Sequence, residues 1–337
     1  MEIKEALSEI IQDHDLSRED MTSVMFQILE GRSTDALIGA FLVALNIKGE
    51  SIDEVVGAVS VMRELSEKVE VDTHHLVDTC GTGGTGVGIF NVSTASAFIA
   101  CAGGARVAKH GNRSATRNSG SADLLEEAGL SLELSPKMVS RCIEEIGVGF
   151  MFAPAHHSAM KHAIGPRKEL AVRTIFNVLG PLTNPAKAPN QIMGVYDKSL
   201  VEPIANVLKS LKSRHVMVVH SEDGLDEFSI SKKTYVAELK DNNVSTYSVA
   251  PNDFGIKIGD LNELRAENAK ESLTLILDAF SGSKGAARDI IALNAGAAIY
   301  VSGLVDSLDK GILKAFQVLS DGSAQGKLDA YILASNL

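Results

Sequence analysis

The chain has 337 residues, 45% of them hydrophobic, which is enough for one large or two ordinary domains and for a core that needs no disulfide or metal. Its 32 basic and 43 acidic residues give a formal net charge of −11, which argues against a chain-wide surface for nucleic acid or an anionic membrane. The sequence has no apolar run as long as a membrane span, and three widely separated cysteines favour a reducing, cytoplasmic compartment over a disulfide framework or a zinc site.

The first 70 residues predict a bundle of short amphipathic helices. Apolar residues from Met21 onward repeat at intervals of three and four, and Ser17 stands where a helix cap is expected. A further helix follows the capping-box spacing of Ser51 and Glu54. We therefore expect a helical packing domain at the start of the chain.

Near residue 75 the pattern changes to that of an α/β domain. A strand at 76–77, a glycine-rich loop, a small-residue helix at 93–102 and a strand at 105–108 form a βαβ unit, which implies a parallel sheet. Further strands are expected at 150–152, 216–219, 235–239 and 245–249. Further helices are expected at 168–178, between prolines, and near 268–281, 285–302 and 308–321.

The loop after the first strand is a candidate phosphate cradle. Its glycines stand at positions 81, 83, 84, 86 and 88, and their backbone N–H groups can approach an anion beside a helix N-terminus. The loop is not a Walker A motif, because Val87 stands where lysine is needed. The spacing matches a dinucleotide fingerprint, but the chain has no acid between Asp78 and Asp123 to hold a ribose, which disfavours a nicotinamide cofactor. The alternative is a tight turn without function.

A basic segment follows the second strand. The basic residues of this acid-free interval are Arg106, Lys109, Arg113 and Arg117. Loops after parallel strands lie at the carboxyl edge of the sheet, where ligands bind. Lys109 offers a point charge and Arg113 a planar fork, while Asn112 can both donate and accept. The segment therefore fits a ligand with several negative charges, and a solvated charged turn is the alternative.

An acidic turn follows the strand at 216–219. Its four acids are Glu222, Asp223, Asp226 and Glu227. Adjacent carboxylates would repel a polyanion unless a cation intervened, and Mg²⁺ takes one or two carboxylates together with phosphate oxygens. Asp226 and Glu227 are therefore candidate magnesium ligands, and a solvated acidic turn is the alternative.

The proline-rich segment 160–190 supplies one more candidate. Arg167 has the fork geometry that clamps a carboxylate at two points. The histidines in and near this segment, namely His110, His156, His157 and His162, form no HxxxH face with suitable carboxylates. We expect them to be core or surface residues rather than metal ligands.

Six motifs together resemble the anthranilate phosphoribosyltransferase family. They occur in the family's order and are GTGG at 81–84, NVSTASAF at 91–98, KHGNRS at 109–114, SGSADLLE at 119–126, RTIFNVLGPLTNP at 173–185 and DGLDE at 223–227. The resemblance implies a small helical domain, residues 1–71 joined by about 163–188. It also implies a larger α/β domain, residues 72–162 and 189–337, with a central mixed, mainly parallel sheet flanked by helices. Members usually form a homodimer through the helical domain.

The same resemblance implies the transfer of the phosphoribosyl group of 5-phosphoribosyl 1-diphosphate to the amine of anthranilate in tryptophan biosynthesis, with two Mg²⁺ ions. The matching sugar-diphosphate positions are Gly81, Thr82, Gly84, Thr85, Asn91, Val92, Ser93, Thr94, Lys109, His110, Gly111, Asn112, Arg113, Ser114 and Ser121. Anthranilate would face Gly81, Asn112 and Arg167, and the metal would be held by Ser93, Asp226 and Glu227. No general acid or base is implied, so Lys109 and Arg113 would act electrostatically.

The sequence departs from the family's usual pattern at two positions. Thr85 stands where the family usually has Asp, which removes a charge, and Ile89 stands where it usually has a hydroxyl, which removes a possible phosphate donor. Two other functions stay open: a pyrimidine nucleoside phosphorylase of the same architecture and a non-catalytic paralogue that binds nucleic acid. The LGPLTNP segment and the KHGNRS order argue against the first, and the negative charge and scarce aromatic residues against the second.

Overall fold

The structure is a computed structural model that describes residues 1–83, 86–114 and 119–337. It begins with four helices, α1 (Ile3–Ile11), α2 (Arg18–Leu29), α3 (Asp35–Lys48) and α4 (Ile52–Leu65). Helices α2, α3 and α4 begin after Ser17, Thr34 and Ser51, whose side chains each accept a hydrogen bond from a first-turn N–H. The helical bundle predicted from the sequence is confirmed.

Seven strands in the described residues form one sheet of order β3-β2-β1-β4-β5-β6-β7. They are β1 (Leu76–Gly81), β2 (Arg106–Gly111), β3 (Val148–Phe152), β4 (Asn190–Gly194), β5 (His215–Ser221), β6 (Thr234–Lys240) and β7 (Asn243–Val249). The first five strands in that order pair in parallel, whereas β6 and β7 are antiparallel. The prediction of a mixed, mainly parallel sheet is confirmed.

Eleven further helices follow in the described residues; most pack on the two faces of the sheet, and one, Lys161–Leu170, packs on α2 and α3. They are α5 (Val92–Ala102), α6 (Ser121–Glu127), α7 (Pro136–Glu145), α8 (Ala153–His156), α9 (Lys161–Leu170), α10 (Phe176–Leu182), α11 (Val201–Ser210), α12 (Ala269–Phe280), α13 (Ala286–Val301), α14 (Leu308–Asp321) and α15 (Ser323–Ser335). The three C-terminal helices predicted from the sequence correspond to α12, α13 and α14. Among the described residues, no helix combines the length and apolar character that crossing a membrane requires.

Strand β5 separates the two main cores. Successive side chains of a strand point to opposite faces, so Met217 and Val219 pack with α5 and α13, whereas Val216 and Val218 pack with α11 and the helical bundle. The bundle and the sheet therefore share a continuous apolar core on one face. This packing holds the helical bundle beside the sheet.

One prediction for the middle of the chain is wrong, and one strand there was not predicted. The helix expected at 168–178 is instead two helices, because α9 accommodates Pro166 and ends where Ala171 adopts a left-handed φ of 52°. The next helix, α10, begins only at Phe176. Strand β4 has no apolar pattern at its start, because it begins with Asn190 and Gln191. The side chains of these two residues are buried and donate hydrogen bonds to the carbonyls of Leu76 and Pro181.

Candidate functional site

The carboxyl ends of four parallel strands meet at one edge of the sheet. Strand β1 ends at Gly81, β2 at Gly111, β4 at Gly194 and β5 at Ser221. The glycine loop, the KHGNRS segment and the acidic turn follow β1, β2 and β5. Parallel pairing therefore brings together the three motifs that the sequence analysis singled out, as expected for a ligand site of an α/β sheet.

Asp226 is wedged between two glycines at this edge. A Cβ atom on Gly194 would lie 1.7 Å from the Asp226 carbonyl oxygen, and a Cβ atom on Gly81 would lie 2.7 Å from Asp226 Oδ2. The same Oδ2 atom accepts a hydrogen bond from the Gly83 N–H at 3.0 Å. The acidic turn is thus joined directly to the glycine loop, and only glycine at these positions leaves room for it.

The three predicted metal ligands face one small cavity. Ser93, Asp226 and Glu227 line it together with Thr79, Cys80, Ser96, Ile192, Gly194 and Asn294. Within the described ranges, no cluster of three or more His, Cys, Asp or Glu side chains could hold a metal by itself. Two carboxylates and a hydroxyl are hard oxygen donors, the set that Mg²⁺ completes with phosphate oxygens and water.

Lys109 donates hydrogen bonds to two residues that line this cavity. Its ammonium group is buried and donates to the Thr79 carbonyl and, at 3.3 Å, to Ser93 Oγ. Burial lowers the pKa of Lys109, while the carboxylates of Asp78, Glu227 and Asp226 act to raise it. A buried cation that contacts a predicted metal ligand can neutralise anionic oxygen bound beside it, which is the electrostatic role that the resemblance implies for Lys109.

Two buried imidazoles lie side by side next to this edge. The ring centroids of His110 and His157 are 5.1 Å apart, and His110 Nδ1 bonds the Gly180 carbonyl at 3.2 Å. Burial lowers the pKa of His110 to about 3 and that of His157 to about 4, so both rings are neutral at physiological pH. Neither Nε2 atom has a partner in the described part of the chain. Because His110 Nδ1 donates its proton, its Nε2 atom is a bare acceptor that suits an amine or hydroxyl donor.

Helix α5 brings other predicted residues to the same edge. Thr94 Oγ1 donates to Ser121 Oγ at 3.0 Å, and Asn91 Nδ2 donates to the Ser119 carbonyl at 3.1 Å. Val92 is fully buried, so only its backbone can reach a ligand. On the neighbouring loop, Thr82 Oγ1 accepts a hydrogen bond from a backbone N–H. The sequence motifs at 91–94 and 119–121 are therefore parts of one hydrogen-bonded unit.

Two arginines of the basic segment are paired with carboxylates. Arg113 Nη2 donates to Glu126 Oε1 at 2.7 Å and Nη1 to Asp123 Oδ1 at 3.0 Å, so two carboxylates neutralise its charge here. Arg106 bonds Asp72 at 2.7 Å at the opposite end of β2, away from the ligand edge. Of the described basic residues in this segment, Lys109 is the buried cation, whereas Arg106 and Arg113 are paired with carboxylates.

Other residues of the KHGNRS segment support the turn itself. Asn112 Oδ1 accepts from the Arg113 N–H at 2.7 Å, and the Ser114 N–H donates to Asp123 Oδ2 at 3.1 Å. A Cβ atom on Gly111 would lie 2.8 Å from the Phe150 ring, so the backbone passes close to β3. Arg167 lies on α9 with its guanidinium carbon 5.1 Å from the centre of the Phe176 ring, and burial lowers its pKa.

Some expectations concern residues that the structure leaves out or places away from the ligand edge. Gly84, Thr85 and Arg117 lie outside the described residues. Ile89 is buried in the core with 7% exposure and forms an isolated bridge with Arg265. Its side chain therefore packs in the core.

The close approach at Gly194 gives a first testable prediction. In Gly194→Ala the new methyl group would overlap the Asp226 carbonyl oxygen, so the acidic turn must move. We expect a loss of at least about 2–3 kcal/mol in the free energy of unfolding, because overpacked backbone cannot relax cheaply. We also expect turnover to depend less strongly on the Mg²⁺ concentration, because the acidic turn is displaced. Urea unfolding measures the first effect. Gly180→Ala, where a Cβ atom meets nothing within 4 Å, is the matched control, and equal stability of the two variants would refute the wedge.

Two family models divide the chain between them. The helical bundle domain of the glycosyl transferase family matches residues 4–66, and the a/b domain of that family matches residues 73–325. These segments contain the four-helix bundle and the sheet with its ligand edge. The fold and the site thus define a two-domain glycosyl transferase of this class.

Individual relatives narrow the class. The chain is 58% identical over 336 residues to the anthranilate phosphoribosyltransferase of Ruthia magnifica subsp. Calyptogena magnifica, covering 99% of each chain. The crystal structure of the Thermus thermophilus anthranilate phosphoribosyltransferase matches with a TM-score of 0.94 at 38% identity, over 98% of this chain and 99% of that one. The Saccharomyces cerevisiae enzyme in complex with PRPP and Mg matches with a TM-score of 0.89 at 26% identity, over 99% and 98%. The chain belongs to the anthranilate phosphoribosyltransferase family.

Proposed function

We propose that this protein transfers the phosphoribosyl group of 5-phosphoribosyl 1-diphosphate to the amine of anthranilate and releases diphosphate, as a step of tryptophan biosynthesis. The observation that carries the proposal is the meeting of Ser93 and the Asp226–Glu227 pair at one cavity beside the glycine loop, with the buried ammonium group of Lys109 bonded to Ser93. The names of the relatives support this reaction and not the nucleoside phosphorylase alternative. The fluorescence of anthranilate, followed after addition of the sugar diphosphate and Mg²⁺, tests it together with diphosphate release. No fluorescence change at any Mg²⁺ concentration would refute it.

The metal role belongs to three oxygen-bearing side chains. Asp226 and Glu227 would each supply a carboxylate and Ser93 a hydroxyl, in a site for two Mg²⁺ ions that also engage the diphosphate. When bound, Mg²⁺ would offset the charge that develops on the departing diphosphate. The hydrogen bond from the Gly83 N–H to Asp226 Oδ2 would keep the metal carboxylate next to the phosphate-binding loop.

The remaining catalytic contribution is electrostatic. The glycine loop, Thr94 and Ser121 would bind phosphate and ribose oxygens, with Asn91, Thr82, Gly84, Thr85 and the 109–114 segment as further sugar-diphosphate positions. Lys109 would face the diphosphate from the buried side of the cavity, where a charge acts more strongly than in water. An aromatic amine is neutral at pH 7, so the reaction needs positioning rather than a strong base.

The acceptor would bind between α9 and α10. Arg167 would hold the anthranilate carboxylate, with Gly81 and Asn112 also facing this molecule. The bare Nε2 atom of His110 would accept a proton of a ligand donor, with His157 beside it. A neutral acceptor of this kind can orient the amine without carrying a charge that would repel a cationic ribose centre.

Arg167→Lys tests the acceptor assignment. Lysine keeps the charge but loses the two-point fork, so the KM for anthranilate should rise about tenfold or more while the KM for the sugar diphosphate stays within about threefold. Steady-state kinetics with each substrate varied in turn gives both constants. Arg141→Lys, which alters an exposed ion pair with Glu145, is the control and should change neither. A similar rise in both constants would move Arg167 out of the acceptor site.

We also propose that the helical domain, residues 1–71 with 163–188, mediates a homodimer. Helix α9 packs on α2 and α3, which supports placing the later segment in this domain. Helix α3 has no charged residue between Asp35 and Lys48, and its outward face presents Ala40 and Ile47, the latter 80% exposed. A helix that is apolar on all sides is usually buried, so a second copy of the chain is the natural cover.

The three cysteines are free and buried, which supports the prediction of a reducing, cytoplasmic compartment.

Ala40→Glu tests the dimer. Burying an unpaired carboxylate in an apolar interface costs several kcal/mol, so the variant should sediment near the mass of one chain, 35.7 kDa, whereas the parent sediments as two. Ala330→Glu, at an exposed position of α15, is the matched control and should leave the mass unchanged. A dimeric Ala40→Glu variant would place the interface elsewhere.

A further inference from the structure

A buried amide lies in the middle of a helix of the α/β domain that is buried on all sides over most of its length. Every residue of α13 from Ile290 to Val301 is buried, and Asn294 stands in the middle of this run with 2% exposure. Asparagine is a poor helix former, and burying an amide is unfavourable unless its atoms are hydrogen-bonded. Its position therefore calls for a partner that an apolar side chain could not serve.

That partner is the backbone of the acidic turn. Asn294 Oδ1 accepts from the Phe228 N–H at 2.9 Å, and Nδ2 donates to the Phe228 carbonyl at 2.9 Å and to the Ile290 carbonyl at 2.9 Å. The amide thus pairs with both backbone groups of Phe228, as a neighbouring strand would. Phe228 directly follows Glu227, and Asn294 itself lines the cavity that holds Glu227. Fixing this backbone fixes the direction in which the Glu227 side chain leaves it.

The other side of the turn is fixed by a carboxylate that is not a proposed ligand. Asp223 accepts hydrogen bonds from the hydroxyls of Ser221, Ser229 and Ser231, which precede and follow the metal pair. Ser221 Oγ also accepts from the Leu225 N–H at 3.1 Å. The turn from 221 to 231 is therefore held on both sides of Asp226 and Glu227.

We propose that Asn294 and Asp223 are positioning residues that hold the Asp226–Glu227 pair in its metal-binding arrangement, an inference that rests on the metal role proposed above. Groups that orient metal ligands typically change metal affinity about 10- to 100-fold when removed. Neither residue touches the proposed acceptor site. Their loss should therefore weaken the metal and leave anthranilate binding unchanged.

The experiment compares metal binding with stability. Asn294→Ala removes the hydrogen bonds to the backbone of Phe228, and Asp223→Asn weakens those from the three serine hydroxyls. Asn190→Ala is the matched control, since the equally buried amide of Asn190 bonds the Leu76 carbonyl at the opposite edge of the sheet. Mn²⁺ binding is titrated by electron paramagnetic resonance with the sugar diphosphate present. Thermal midpoints and the KM for anthranilate at saturating Mg²⁺ are measured on the same samples.

We expect the dissociation constant for Mn²⁺ to rise about tenfold or more in Asn294→Ala and Asp223→Asn. The KM for anthranilate should stay within about threefold, and Asn190→Ala should lower only the thermal midpoint. Unchanged Mn²⁺ binding in both turn variants, while Asp226→Asn with Glu227→Gln loses it, would overturn the positioning role and leave the metal role intact. Unchanged Mn²⁺ binding in that double variant would overturn the metal role and this inference together. If Asn294→Ala does not fold, Asp223→Asn decides the outcome.

Discussion

The double variant Asp226→Asn with Glu227→Gln should lose about a thousandfold or more in kcat/KM for the sugar diphosphate at a Mg²⁺ concentration that saturates the parent. Both side chains line the cavity that Ser93 also lines, and amides are weak ligands for Mg²⁺. The fold should survive, because an amide oxygen at 226 can still accept from the Gly83 N–H. Initial rates against Mg²⁺ concentration measure the loss.

The control for this variant is Glu222→Gln on the same turn. Glu222 is exposed and accepts only the Tyr235 hydroxyl among the hydrogen bonds described for its carboxylate, so its activity and Mg²⁺ dependence should equal those of the parent. Circular dichroism melting curves for all three proteins separate misfolding from metal loss. Parental turnover in the folded double variant at limiting Mg²⁺ would mean that the metal lies elsewhere.

Lys109→Met should lower kcat/KM for the sugar diphosphate by about 10²- to 10³-fold, the second-largest effect expected. Methionine matches the length and apolar stem of lysine but removes a buried charge, so Thr79 and Ser93 lose a donor. Stability should change by only about 1–3 kcal/mol, since relief from burying the charge opposes the lost hydrogen bonds. Kinetics with the sugar diphosphate varied, and a urea titration, measure the two effects.

Lys240→Met supplies the comparison for the lysine. Lys240 donates to the Tyr300 hydroxyl at 3.1 Å and lies over that ring, and antiparallel pairing places it beside the start of β5, whereas the acidic turn follows the end of that strand. Its replacement should leave the kinetic constants unchanged. If Lys109→Met affects the KM for anthranilate as strongly as that for the sugar diphosphate, the lysine acts on the shape of the whole site and not on the diphosphate.

The outcomes of these variants would also separate two kinds of contribution to turnover. The metal carboxylates share a cavity with Ser93, and Lys109 donates to Ser93, so the effects of the carboxylates and of Lys109 on the rate should not be additive. Arg167 lies on α9, and its effect should add to theirs. A combined Lys109→Met and Arg167→Lys variant with the product of the two single losses would support separate sites for the diphosphate and the acceptor.

Local patterns were sufficient for the elements whose signals lie within a few residues. The caps at Ser17 and Ser51 preceded helices, and the C-terminal helices appeared near their expected bounds, because capping and apolar periodicity are short-range effects. Strand β4 and the break at Ala171 escaped such reasoning. A buried side-chain amide that is hydrogen-bonded to the backbone leaves no periodic pattern in the sequence, and neither does a left-handed residue within a proline-rich segment.

By itself, the sequence determined the helical bundle followed by an α/β domain, the family through six ordered motifs, and the residue types that a phosphate and metal site needs. Only the tertiary structure decided which charges serve that site. It buried Lys109 against Ser93, paired Arg113 with Glu126 and placed Arg106 at the far end of its strand. It also brought Asn294 into hydrogen-bonding contact with the backbone of Phe228, the residue after Glu227, which lies 66 residues away in the chain. Composition and spacing record which groups are present, whereas parallel pairing and close packing determine which of them meet.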